Sequence, residues 1–194
     1  MRLLAEADPL EARLLQAALE LLAERGYRGA TTKEVARRAG VSEVTLFRRF
    51  GSKKALFQKA VAAFFPQGFV ERFPGEGMPL EEGLLVLAEV YQEFLQAHRT
   101  LLPKLLTEFL RHPELLAEGP PRGLGMALGR ILGFFRAKQV EGLLRPDEPP
   151  EELALAFVGP LFARFLLGEA LGVRLPLDRE AYVRGYLEGR YGAR

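Results

Sequence analysis

The fold of this chain is decided by the stretch TTKEVARRAGVSEVTLFRRF, residues 31–50. Thr31 precedes a short amphipathic run and Glu34 follows it by three positions, which is the pattern of a capping box at a helix N-terminus. Gly40 is expected to end this helix, and Ser42 is placed to cap a second one. Two short helices joined by a tight turn that contains a glycine form a helix-turn-helix.

The same stretch predicts which side chains face the core. Leu46 and Phe50 lie four positions apart in the second helix, so they should pack together against the first helix. The apolar positions that they would meet there are Val35, Ala36 and Ala39. The side chains left to point outward or sideways are Glu43, Val44, Thr45, Phe47, Arg48 and Arg49. The apolar residues would thus join the two helices, while the cations point toward the phosphates and base edges of DNA.

Charge is distributed unevenly along the chain. The 194 residues carry a formal net charge of only +2. Residues 1–60 hold twelve lysines and arginines against seven acids, whereas residues 61–194 hold fifteen against eighteen. A basic N-terminal third on an otherwise acidic chain predicts a segment that binds a polyanion.

Helical periodicity extends through the rest of the sequence. A first helix is expected to begin after Asp8 and to end at Gly26, and a fourth to run from Lys53 at least to Phe65. Longer helical runs follow at about 80–98, 100–111, 121–143, 150–171 and 178–191. Because no stretch alternates in the manner of a strand, the sequence predicts an all-α fold of about nine helices.

A stretch rich in proline and glycine, PQGFVERFPGEGMP at residues 66–79, is the candidate domain boundary. It predicts an N-terminal helix-turn-helix DNA-binding domain at 1–65, with a three-helix head. The remainder, 66–194, is expected to be a helical bundle for ligand binding and dimerisation. The helices at 150–171 and 178–191 are apolar around much of their circumference, which predicts a second copy of the chain as an additional packing partner.

Composition excludes several classes of protein. The chain has no cysteine, so disulfides, thiolate catalysis and cysteine-ligated metals are excluded. Its longest apolar segment, LALAFVGPLFA at 153–163, is expected to be too short to span a membrane, and the N-terminus lacks the pattern of a signal peptide. We therefore expect a cytoplasmic protein without membrane association.

Residues 26–57, GYRGATTKEVARRAGVSEVTLFRRFGSKKALF, resemble the DNA-binding head of the TetR family of bacterial regulators. The likeness includes the Gly-Tyr after helix one, the Thr-capped second helix, the Ala-Gly-Val-Ser turn, the Thr-Leu-aromatic run and the Phe-x-Ser-Lys start of helix four. It extends over about residues 8–65, beyond which only length and helix count are similar. The resemblance implies a homodimeric, ligand-responsive repressor, released from a palindromic DNA operator by a small, mostly apolar effector such as an acyl or aromatic compound. It implies neither catalysis nor a cofactor.

The family's DNA contacts carry over onto matching positions of this chain. Thr31 and Thr32 would meet a phosphate at the start of helix two, and Lys53 would hold the DNA backbone from helix four. The residues expected to face the major groove are Glu43, Val44, Thr45, Phe47 and Arg48.

Two of these positions depart from the pattern of many family members, which have Tyr and His there. Phe47 would exchange a phosphate contact for apolar packing on the sugar–phosphate wall. Arg48 gains a fork that can hold guanine O6 and N7 together. Glu43 either accepts from cytosine N4 or complements the helix N-terminus.

Aromatic and apolar residues recur on the C-terminal helices, and each of them singly is typical of a core. Collectively they predict an apolar cavity with a few polar groups. The residues expected to line it are Tyr91, Phe94, His98, Leu105, Phe109, Met126, Arg130, Phe134 and Phe157.

The sequence leaves two alternatives to control by a small molecule. A regulator of the same fold could respond to a protein partner, which a sealed C-terminal core would favour. A helical enzyme acting on acyl groups would require a polar cluster inside the C-terminal domain, and the sequence shows none. Glu108 and His112, four apart, are more typical of an exposed pair near a helix end than of metal ligands, so no metal is expected.

Overall fold

The computed structural model describes residues 8–64, 67–116, 119, 120 and 122–189, with the side chain of Gln67 excepted. Over these residues it contains helices and turns and no strand, which confirms the all-α prediction. Nine α-helices have eight residues or more, as predicted, and one further α-helix has four. They are α1 (Pro9–Gly29), α2 (Thr32–Ala39), α3 (Glu43–Phe50), α4 (Lys53–Ala63), α5 (Gln67–Val70), α6 (Leu80–Ala97), α7 (Leu102–Arg111), α8 (Arg122–Val140), α9 (Pro150–Leu171) and α10 (Arg179–Glu188).

Side-chain caps fix where the N-terminal helices begin. Asp8, Thr31, Ser42 and Ser52 each accept a hydrogen bond from a backbone N–H in the first turn of the helix that follows, at 3.1–3.2 Å. These bonds satisfy amide groups that have no acceptor within the helix. Gly40 ends α2 with φ 73°, in the left-handed region that favours glycine.

Two helix ends differ from the predicted ones. Gly26 does not stop α1; it has φ 69° and kinks the helix, which resumes and ends at Gly29. Helix α4 ends at Ala63 rather than continuing to Phe65, which lies outside the described residues.

One compact unit comprises the residues up to Gln67 together with Thr100–Gly125. Within it α1 is central, because it packs against α2, α4 and α7, and α2 packs against α3. The buried face of α1 is built from Leu14, Ala18, Leu21 and Leu22.

The second compact unit comprises Gly68–Arg99 and the residues from Met126 onward. Its helix α6 packs against α9 and α10 around a fully buried set of aromatic rings. The predicted functional division at residue 66 stays a prediction. The compact units change near that position, but residues 100–125 group with the N-terminal part because α7 packs on α1.

Helix α9 corrects the expectation that no apolar segment is long enough to span a membrane. Its 22 residues have a mean hydropathy of 1.6 in the most apolar window, so it passes the test of length and composition. The sequence prediction ended the segment at Arg164, but a helix accommodates single charges on one side. A core helix of a globular protein passes the same test, and 28% of this window is buried within the chain.

Candidate nucleic-acid interface

Helix α3 presents a mixed polar and apolar face to solvent. Leu46 is fully buried and Phe50 nearly so, as predicted, and both fix the helix on the unit that carries it. On the opposite side Val44 is 77% exposed, Phe47 is 43% exposed and Arg48 is also exposed. A helix with an exposed apolar and cationic face of this kind suits the major groove, whose edges offer acceptors and thymine methyl groups.

Ion pairs divide the six cations of residues 37–57 into two groups. Three of them are paired within their own unit: Arg37 with Glu34 at 2.6 Å, Arg38 with Glu24 at 2.8 Å and Arg49 with Asp8 at 2.6 Å. The hydrogen bond from Arg37 lowers the pKa of the Glu34 carboxyl below its ordinary value. In the part of the chain that the structure describes, Arg48, Lys53 and Lys54 have no carboxylate within 4.0 Å. These three are the cations available to phosphates or bases.

Lys53 is held in place by uncharged neighbours. Its Nζ lies 4.8 Å from the centroid of the Tyr27 ring and 5.9 Å from that of Phe57. It also donates to the carbonyl oxygen of Arg28 at 3.4 Å. Burial lowers the pKa of this half-buried ammonium. Ring faces attract a cation without neutralising it, so Lys53 stays positioned and able to bind an anion.

The predicted phosphate contacts of α2 are only partly free. The Thr31 hydroxyl oxygen caps α2 by accepting from Glu34 N–H. The Thr32 hydroxyl donates to Glu43 Oε1 at 2.6 Å, a bond between α2 and α3 that sequence reasoning missed. Neither role considered for Glu43 from the sequence included this bond. The first-turn backbone N–H groups of α2 remain the donors suited to a phosphate.

Thr45 lies beside the α3 cap. Its hydroxyl is 2.9 Å from that of Ser42, and its backbone N–H donates to the same Ser42 oxygen at 3.2 Å. The side chain is half-buried, in contrast to that of Val44. The structure thus brings the predicted set of Thr31, Thr32, Glu43, Val44, Thr45, Phe47, Arg48 and Lys53 into one unit, with Val44, Phe47 and Arg48 the most open of the α3 residues.

Glu108 is the residue of this unit whose role the sequence did not reveal. The expectation of an exposed pair with His112 is wrong, because Glu108 is only 7% exposed. Its Oε2 accepts from the backbone N–H of Tyr27 at 2.6 Å, next to the kink of α1. The ring of Tyr27 in turn lies 5.2 Å from that of His112. A buried carboxylate of α7 therefore fixes the segment of α1 on which Lys53 rests.

His112 is engaged elsewhere. Its Nδ1 lies 3.0 Å from Glu114 Oε1, which lowers the pKa of that carboxyl. Among the described residues, no group of three or more His, Asp or Glu side chains could hold a metal ion.

The predicted ligand-binding residues fall into both compact units. Leu105, which is buried, and Phe109, which is half-buried, belong to the first unit with α7. The others belong to the second, where Phe134 and Phe157 are fully buried and Met126 is 38% exposed. The Phe134 ring is closely packed, since a Cβ built on Gly83 would lie 2.4 Å from it.

The polar members of that set have internal contacts. Arg130 Nε donates to the carbonyl oxygen of Phe73 at 2.7 Å, and His98 Nδ1 lies 2.8 Å from the carbonyl oxygen of Phe94. Burial lowers the pKa of His98 and raises that of Tyr91 to about 12. These groups therefore support the packing of the unit. Whether they also line a ligand site stays a prediction.

Comparison with known proteins agrees with this geometry. Residues 14–60 match the family of bacterial regulatory proteins described as the tetR family. The chain is 50% identical over 50 residues to YvkB of Bacillus subtilis, an uncharacterized HTH-type transcriptional regulator, covering 26% of each chain. It is 29% identical over 115 residues to the HTH-type transcriptional regulator UidR of Escherichia coli K12, covering 58% of each. The chain thus spans between about a quarter and three fifths of the length of these relatives.

Solved structures extend the likeness over almost the whole chain. A tetR-family transcription regulator of Shewanella sp. PV-4 superposes with a TM-score of 0.74 at 21% identity, over 95% of this chain and 99% of that one. FadR of Bacillus subtilis in complex with stearoyl-CoA gives a TM-score of 0.69 at 18% identity, over 91% and 95%. These identities establish a shared fold. By the sequence of its N-terminal segment and by its fold, the chain belongs to the TetR family of bacterial regulatory proteins.

Proposed function

We propose that the chain is a cytoplasmic transcriptional repressor that binds operator DNA through α3 and is released by a small organic effector. The role requires no catalytic group and no cofactor. Its family of transcription regulators supports it, as does the solved FadR structure of the same fold, which holds stearoyl-CoA.

The observation that carries the proposal is the different treatment of neighbouring arginines. Arg37, Arg38 and Arg49 are tied to carboxylates of their own unit, whereas Arg48 projects from α3 beside Val44 and Phe47 without such a partner in the described chain. A basic surface that served only solubility would give no reason for this selection. A guanidinium left unpaired next to exposed apolar side chains suits guanine and thymine edges.

We further propose that the protein acts as a homodimer. Helix α9 exposes three leucines to solvent, at 61% for Leu155, 55% for Leu167 and 68% for Leu171. An apolar face of this length is costly in water and is covered when two copies meet about a two-fold axis. The operator would then be a palindrome whose half-site centres lie about 34–36 Å, or a multiple of that, apart.

The test is selection of bound duplexes from a pool of random-sequence DNA, followed by sequencing. We expect the retained fragments to share a palindrome, and the affinity to fall steeply with salt because bound counterions are released from the phosphates. Retained fragments without a common sequence would contradict the proposal, even if binding were tight.

A further inference from the structure

The second compact unit contains a cavity that none of the predicted ligand residues lines. It has a volume of about 630 Å³ and lies between the C-terminal halves of α6 and α9 and the segment that follows α9. This size falls within the range of about 300–1,000 Å³ that is usual for small-molecule sites.

The charges around this cavity are mainly positive. Arg99, Arg164 and Arg174 line it, whereas Glu169 is the acid among the lining residues that the structure describes. Arg99 Nε lies 3.3 Å from Glu169 Oε1, so that pair is neutral as a whole. For Arg164 and Arg174 no carboxylate lies within 4.0 Å in the described chain, which leaves two guanidinium groups for an anion.

Arg164 is the better positioned of the two. Its Nη2 donates to the carbonyl oxygen of Pro176, which fixes the guanidinium against the segment after α9. Its Nε is buried and has no hydrogen-bond partner among the described residues. A buried donor without an acceptor costs free energy. An acceptor oxygen brought by a ligand would remove that cost.

The inner wall of the cavity is apolar. Leu95, Leu161 and Phe165 line it and are all buried, with exposures of 2%, 3% and 7%. A ligand that fits both surfaces has an anionic group at the arginines and an apolar body against this wall.

The geometry points to this cavity as the binding site of an amphipathic organic anion, such as a carboxylate on an aromatic or alkyl body. The inference rests on the proposed function, because it gives the site and the charge of the effector. It changes the predicted effector from a mostly apolar compound to one with a required negative charge.

The site is compatible with the proposed dimer. At 100° per residue, the cavity residues Leu161, Arg164 and Phe165 lie on one side of α9. The exposed leucines at 155, 167 and 171 lie on the other side. One helix can therefore bind a ligand and a second copy of the chain at once.

The test uses anilinonaphthalene sulfonate, an anionic aromatic dye whose fluorescence rises when it leaves water. Phenylnaphthylamine has the same rings without the sulfonate and is the neutral probe. We expect the anionic dye to bind the full-length protein about tenfold or more tightly than the neutral one, as is usual for hydrogen bonds to charged groups. Arg164→Gln and Arg174→Gln should each remove most of that difference. Arg136→Gln, at an exposed arginine of the same unit outside the cavity, should leave it unchanged.

Competition identifies the anionic group. Phenylbutyrate should displace the dye while phenylbutanol should not, and phenylbutyl phosphate distinguishes a phosphate site from a carboxylate site by displacing it at lower concentration. Arg174 lies in an exposed segment, so its variant tests the site even if Arg164→Gln fails to fold.

Equal affinity for the two dyes, or equal binding by the cavity variants and Arg136→Gln, would overturn the inference. These titrations contain no DNA, so their failure leaves the proposed operator binding untouched. A protein that selects no DNA sequence yet holds the dye through Arg164 would instead overturn the proposed function and keep the site.

Discussion

Arg48 and Arg49 are adjacent in α3 but differ in what DNA binding would cost them. Arg49 holds Asp8 at 2.6 Å and Glu11 at 3.0 Å, so a contact with DNA would require it to exchange two carboxylates. Arg48 has no such partner in the described chain and would exchange only water. Net affinity is the difference between the old and new contacts, so Arg48 should contribute more of it.

Replacement of Arg48 by alanine tests this directly. We expect operator affinity to fall by about 1–3 kcal/mol, with the preference relaxed at one base pair of each half-site. The measurement is a fluorescence anisotropy titration against the selected operator and single-base variants of it. Arg37→Ala is the matched control, because Arg37 is equally exposed but paired with Glu34 at 2.6 Å. Equal losses in both variants would show that α3 does not read bases through Arg48.

Lys53 should behave differently, because a lysine at a helix N-terminus contacts phosphate rather than bases. We expect Lys53→Ala to weaken binding to all sequences alike and to reduce the slope of log affinity against log salt by about 1. The control is Lys59→Ala, since Lys59 is paired with Glu11 at 2.7 Å. A sequence-dependent loss for Lys53→Ala would assign that side chain to the groove instead.

The sequence could predict which side chains leave the core but not which cations are neutralised. The inward positions of Leu46 and Phe50 follow from spacing within one helix, and the structure confirms them. The partner of Arg49 is Asp8, which lies on a different helix and 41 positions earlier in the chain. Such a pairing depends on how helices pack, and no local pattern carries that information.

At the scale of elements, the junction of α1 and α7 depends on one backbone position. Gly26 has φ 69°, which places the Tyr27 N–H where Glu108 of α7 accepts it. The carboxylate lies so close that a Cβ on Gly26 would be 2.9 Å from Oε2. The kink and the buried carboxylate therefore require each other.

Gly26→Ala should destabilise the protein for both reasons. The left-handed conformation is strained for alanine and the Glu108 carboxylate would have to move, so we expect a loss of about 1–3 kcal/mol in the free energy of unfolding. Thermal unfolding followed by circular dichroism measures it as a lower Tm. Gly129→Ala is the control, because Gly129 is helical with open space around it and alanine should stabilise there by about 0.5–1 kcal/mol. An unchanged Tm for Gly26→Ala would mean that the Glu108 contact does not hold α1.

Most helix starts could be predicted because caps are local, whereas the role of Glu108 could not. Asp8, Thr31, Ser42 and Ser52 act on the turn that follows them, and the structure shows each of these bonds. Glu108 acts on a residue 81 positions away. In the sequence it was indistinguishable from an exposed acid, and its place in TEFLRH gave no sign of burial.

At the scale of the whole molecule, the exposed leucines of α9 predict the oligomeric state. Leu167→Glu would place a charge in the centre of the proposed interface, and desolvating it there should cost several kcal/mol unless it is paired. We expect this variant to sediment as a monomer at micromolar concentration while the parent sediments as a dimer. Leu110→Glu, at an exposed leucine of α7, should leave the dimer intact. A parent protein that is monomeric under these conditions would contradict the proposal and with it the palindromic operator.

The final prediction concerns how effector and operator act on one another. An effector can release the operator only to the extent that it binds the released conformation better, typically by about 1–3 kcal/mol, which is a factor of about 5–150 in affinity. Because binding free energies are reciprocal, operator DNA must weaken effector binding by the same factor. Calorimetric titration of phenylbutyrate into the protein, with and without saturating operator, measures both directions of this coupling. Equal affinities in the two titrations would show that the compound, however tightly bound, does not control the DNA-binding state, because a ligand without preference between two conformations shifts neither.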